Sequence, residues 1–135
     1  MRRVLLAALS PLLAIAAVAR ADPYPVAVLR ALDKVTARVT TLRAPVGTPV
    51  HFGALEITTE VCDKRPPEEP PEAAAFLKII ETRAEQPAVE VFHGWMFASS
   101  PGVSALQHPV YDIWVLDCEN SAENTESSAS GGGSP

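Results

Sequence analysis

Three histidines, His51, His93 and His108, are the groups in this 135-residue chain best suited to ligate a metal or move a proton. Glu90-x-x-His93 looks like a fragment of a ligand set. On a strand, however, residues three apart point to opposite faces, so this spacing does not bring the pair together. None of the compact Cys/His or His-x-x-x-His spacings of zinc sites occurs. The expectation is therefore no metal and no cofactor. Ser99-Ser100, with His93 or His108 and Asp112, supplies the residue types of a nucleophilic triad. It lacks the Gly-x-Ser-x-Gly elbow that would aim a serine. Of the carboxylate pairs, Glu68-Glu69 sits in a proline-rich solvated run, and Asp112 and Asp117 bracket a strand on opposite sides. Neither promises two converging acids of different pKa. The sequence points to a protein that binds and does not catalyse. A small hydrolase using Ser99 or Ser100, His108 and Asp112 is the second reading.

Binding chemistry has better material. Trp95, Phe97, Tyr111 and Trp114 could line a groove or a hot-spot patch. A small β domain with eight aromatics needs most of them inside, and Trp114 is expected in the core. Trp95 adjoins Gly94 and the long loop 98–109. The candidate binding surface is accordingly Trp95, Ser99, Ser100, Leu106 and His108. A second candidate, a docking segment, is Arg65-Pro66-Pro67-Glu68-Glu69, within a run whose prolines favour extended geometry and cannot join a ladder. Its plainer reading is a stiff surface connection over a sheet edge.

The elements that must position these residues read as strands. Val110 to Leu116 is apolar on both faces, the pattern of a strand buried on two sides. Val35, Ala37 and Val39 alternate with Lys34, Thr36, Arg38 and Thr40, as in a half-exposed antiparallel strand. Val26 to Asp33 is left open between turn and strand entry. Val50 to Asp63 alternates with a phase slip at Gly53-Ala54, which suggests a bulge. Continued alternation sets Cys62 beside Glu60 on the wetter face, unless a second irregularity turns it inward. Phe76 to Ile80 is a short strand, and Val89 to Phe97 a long one with a bend expected at Gly94. Short strands punctuated by Pro and Gly, with little helix, define an all-β chain: a small antiparallel β-sandwich or partly open barrel.

Met1-Arg2-Arg3, the uncharged run Val4 to Ala19 and Ala19-Arg20-Ala21 form the three parts of a secretory signal peptide, with cleavage expected after Ala21. Sixteen apolar residues interrupted by Pro11 fall short of the roughly 20 that cross a bilayer. No transmembrane segment is expected after cleavage. Residues 22–118 make a single β domain, and 119–135 an acidic, Ser/Gly-rich tail expected to be disordered. Without Arg2, Arg3 and Arg20 the chain holds 8 basic against 16 acidic residues, which disfavours nucleic acid and anionic lipid as partners. Cys62 and Cys118 are its only cysteines, and in an oxidising compartment a disulfide between them is expected.

Several stretches together resemble a known family. They are Leu32-Asp33-Lys34-Val35-Thr36-Ala37, Phe52 to Ile57, Cys62 with Lys64 to Glu69, Gly94 to Pro101, and His108 to Cys118. The likeness covers about Leu32 to Cys118 and is to an exported alphaproteobacterial family called domain of unknown function 2155. The resemblance implies a periplasmic protein of a Gram-negative bacterium. It also implies a partner in an inner-membrane or envelope complex, with respiratory complex I one candidate. It supplies no catalytic residues.

Overall fold

A computed structural model describes residues 21–106 and 108–121. The expected leader and nearly all of the expected tail lie outside these residues. Eight strands follow in order: β1 (Asp22–Pro23), β2 (Val26–Asp33), β3 (Arg38–Pro45), β4 (Val50–Phe52), β5 (Leu55–Lys64), β6 (Ala73–Glu81), β7 (Val89–Phe97) and β8 (Tyr111–Glu119). They form two antiparallel sheets. The larger has the order β1-β5-β6-β7, with β4 also paired to β5, and the smaller has the order β3-β2-β8. The fold is an open β-sandwich. Leu29, Ala31, Ile113 and Val115 of the smaller sheet face Leu55, Ile57, Leu77, Ile79 and Met96 of the larger. Each large side chain buried there contributes about 1.5–3 kcal/mol.

The undecided stretch Val26–Asp33 is the central strand of the smaller sheet, bonded to β3 on one side and β8 on the other. The strand expected from Lys34 onward is corrected: residues 34–37 are a turn, and Val35 is 76% exposed. Asp33 Oδ1 accepts the N–H groups of Val35 (2.9 Å) and Thr36 (3.1 Å), and Ala37 takes φ +57°. An aspartate that bonds main chain two and three residues ahead competes with a ladder and nucleates a turn. The alternation around it was incidental.

Gly53 is likewise a turn residue and not a bulge. At φ +56° it closes the β4–β5 hairpin, and a Cβ there would stand 2.8 Å from Tyr111 Cζ. The irregularity lies further on, where the β5–β6 register slips between Thr59 and Val61. That extra residue turns Cys62 into the core, where its sulfur bonds Cys118 across a Cα–Cα distance of 5.9 Å. The bridge ties the two sheets together at one end of the sandwich.

β8 is not buried on both sides. Ile113, Val115 and Cys118 face the core, Trp114 is half-buried on the outer face and Leu116 is exposed. Trp114 is therefore not a core residue; it sits beside Arg30 of β2 in register. The apolar run misled because β8 is an outer strand whose exposed face still carries large side chains. The bend expected at Gly94 is also displaced. The β6–β7 ladder slips between Ile79 and Ile80, so Val91 is the extra residue.

Candidate functional site

A cleft of about 870 Å³ opens between the loop joining β7 to β8 and the free side of β8. Pro101, Gly102, Ala105 and Leu106 form the loop wall, Asp112, Ile113 and Trp114 the strand wall, and Lys34 and His108 one end. Each has a local reason to be there. The turn at 34–37 returns the Lys34 side chain to β8, where its ammonium donates to His108 C=O (2.6 Å) and pairs with Asp112 (3.1 Å). Leu106, 2% exposed, is the apolar anchor that pins the loop to the core.

His108 fixes the loop's other end. Its Nδ1 accepts the N–H groups of Val110 (3.0 Å) and Tyr111 (3.2 Å), so the ring proton is on Nε2, which donates to Glu81 Oε2 at 2.5 Å. Arg83 donates to the other oxygen of Glu81. The bond from His108, then that from Arg83, hold the Glu81 carboxyl below the usual carboxylate range, against the opposing pull of burial. Glu81 and Arg83 were not singled out in the sequence. The signal was present: Ala73, Ala75, Leu77 and Ile79 alternate into the core, and strict parity sends Glu81 after them. A carboxylate on a core face requires partners.

One side of β8 carries no strand partner among the described residues. The Lys34 N–H donates to Val110 C=O (2.8 Å), continuing the β2–β8 register. Alternate residues 112 and 114 thus bond β2, while 111 and 113 turn their main chain outward. The Tyr111 N–H is taken by His108. The N–H and C=O of Ile113 are directed to the cleft side, where β8 has no strand neighbour among the described residues.

The five residues proposed as one surface are divided. Leu106 and His108 are buried in the cleft floor; Trp95 is 38% exposed on the outer face of the larger sheet. Ser104 Oγ donates to Trp95 C=O, which folds the loop back over β7. Ser99 belongs to a different neighbourhood: its N–H donates to Glu72 Oε1 (3.2 Å) and its hydroxyl to the other carboxylate oxygen. Burial raises the Glu72 pKa, but these bonds outweigh it and the net shift is downward. Ser100 adjoins Ser99, their hydroxyls 3.5 Å apart. Among the described residues no hydrogen bond links Ser99 or Ser100 to His108, or His108 to Asp112. The basic nitrogen of His108 is occupied by main chain, so the imidazole as placed has no lone pair free to accept a proton from a nucleophile.

The docking segment is not extended. Arg65 N–H donates to Glu72 C=O (3.0 Å) and Glu69 N–H to Pro66 C=O (3.1 Å), so Arg65, Pro66, Pro67, Glu68 and Glu69 form part of a folded hairpin loop. Tyr24 lies against it, with Lys64 over the tyrosine ring. Glu90 and His93 do meet, contrary to their spacing: the bulge at Val91 restores a common face and Glu90 Oε1 lies 3.3 Å from His93 Nδ1. Glu60 approaches the other ring nitrogen at 3.4 Å. Among the described residues no group of three or more His, Cys, Asp and Glu side chains is arranged to hold a metal ion. No helix of the described residues is long and apolar enough to cross a membrane.

Taken together, these features define a disulfide-tied β-sandwich with a cleft along an edge strand. The chain belongs to the family described as uncharacterized protein conserved in bacteria (DUF2155), whose model matches residues 27–118. It is 30% identical over 88 residues to an uncharacterized protein of Rickettsia prowazekii (strain Madrid E), a match covering 65% of this chain and 57% of that protein. The chain thus spans little more than half the length of that relative. No solved structure matches it.

Proposed function

We propose that this protein is a non-catalytic binding module of the periplasm, which grips an extended segment of an envelope protein along the free side of β8. One observation carries the reading: the cleft offers an outward main-chain N–H and C=O at Ile113 beside Leu106 and Trp114, while Lys34, His108 and Asp112 each already have an internal partner. Main-chain groups of an exposed strand pair with an added strand, and adjacent pockets take its alternate side chains. The leader-like first residues and the buried disulfide support export to an oxidising compartment.

Gly102→Trp tests this. Gly102 lines the cleft and nothing lies within 4 Å of a Cβ built there, so an indole has room to fill part of it. Stability is expected to change by less than about 0.5 kcal/mol, as for most surface substitutions. A photoreactive residue at Ala105 is expected to crosslink a partner in cells carrying the otherwise native protein, and to lose it with Gly102→Trp. Equal crosslinking with the cleft filled, or none in either case, removes the reading. A hydrolase would instead need Ser99 or Ser100 within bonding range of His108; that Ser99 bonds Glu72 and His108 bonds Glu81 favours the binding reading.

A further inference from the structure

The outer face of the larger sheet carries a second surface, independent of the cleft. Register places Val61, Phe76 and Trp95 in one row across β5, β6 and β7, with Ala74 and Phe97 in the next. The Phe76 ring stacks edge-on against Trp95 (5.4 Å between centroids) and tilts against His93 (5.1 Å). Trp95, Phe97 and Val61 each remain more than a third exposed. Half-exposed aromatics at the centre of a sheet face are the usual anchors of an interface.

The charges around this row are mostly of one sign. Glu56, Glu60, Asp63 and Glu90 share the face, and among the described residues Lys78 is its one lysine or arginine. Lys78 makes no ion pair among the described residues. Glu60 and Glu90 lie 3.4 and 3.3 Å from the two ring nitrogens of His93, so two carboxylates converge at the edge of the aromatic row. A cation brought from outside would meet both at once.

We infer that this face docks a basic amphipathic segment of a partner protein, which lays an apolar side chain on Trp95 and Phe76 and sets a lysine or arginine beside Glu60 and Glu90. The charge complementarity selects this occupant. An anionic membrane would meet four carboxylates, and a second copy of the same face would oppose like charges, each of which is unfavourable.

Short synthetic peptides of alternating lysine and leucine, and counterparts with glutamate in place of lysine, test the inference on the full chain by nuclear magnetic resonance titration. The lysine peptide is expected to shift the amides of Phe76, His93 and Trp95, and its affinity to fall with added salt. Trp95→Ala should weaken it about tenfold, as for a hot-spot aromatic. Glu60→Gln with Glu90→Gln should flatten the salt dependence, which keeps the test alive if the tryptophan variant is poorly folded. Equal binding of the glutamate peptide, shifts confined to the β8 cleft, or indifference to all three substitutions overturns the inference. So does concentration-dependent dimerisation abolished by Trp95→Ala, which would make a second copy the occupant. Failure here leaves the cleft untouched, because the two surfaces share no residue.

Discussion

Replacing Cys62 and Cys118 together by alanine is expected to lower the unfolding free energy by about 2–5 kcal/mol. The two residues are separated by 56 positions, and closing a loop of that size restricts the unfolded chain by about 4 kcal/mol in the chain-entropy account. Domains of this size are stable by only about 5–15 kcal/mol in all, so the loss is a large fraction. For roughly 100 folded residues it corresponds to a fall in the thermal midpoint of about 10–25 °C. Both sulfurs are buried, with Cys62 1% and Cys118 0% exposed, so mild reductant should act on the native protein slowly, through opening of the fold. Calorimetry of the native and double-alanine proteins measures the effect. A midpoint unchanged within a degree or two would mean that burial alone holds the sheets together.

His108→Ala is expected to cost about 2–3 kcal/mol. It orphans the part-buried Val110 and Tyr111 N–H groups, each costing about 1 kcal/mol or a little more where water reaches them only in part. Glu81 loses its first partner at the same time. Hydrogen exchange should rise across 98–110 while β5 and β6 stay protected, because the histidine holds the loop and not the sheets. Acid should act through the same cluster. Glu81 has its pKa lowered in the folded protein, so its contribution is fully present above the ordinary glutamate value of about 4.3. It is lost as pH falls through the lower native value. The alanine variant should therefore show a shallower acid limb than the native protein when unfolding is followed against pH. Parallel limbs would remove Glu81–His108 as the cause.

The two-layer β architecture, β6 and β7 were legible because alternation and breaker residues act locally, and the cysteine pair because the chain holds only two cysteines behind an export-like leader. What escaped depended on single-residue slips. The extra residue near Glu60 reversed the facing of Cys62, and the one at Val91 brought Glu90 to His93. Nothing in a strand's composition announces where one residue is added, because the ladder absorbs it by contacts with a distant strand. The turn at 34–37 was hidden for another reason: Asp33 bonding its own main chain overrode a strand-like pattern that the following valines supplied by chance. The five residues read as one surface do not lie together, because loop residues close in sequence are held by different anchors. Leu106 and His108 went to the core and Ser99 to Glu72, while Trp95 faced solvent on a strand. Trp114 was misplaced because hydrophobicity alone does not distinguish the inner side of an outer strand from its wet side.

The covalent tie from β5 to β8 spans every connection in between, including the hairpin at 65–72 and the whole loop at 98–110. A protease that cut either loop would release nothing: both halves would stay joined, and would run at the intact mass on a gel until thiol was added. Cleavage at these exposed bends could accumulate during the life of the protein without dispersing it, and only reducing conditions would reveal how many molecules had been nicked.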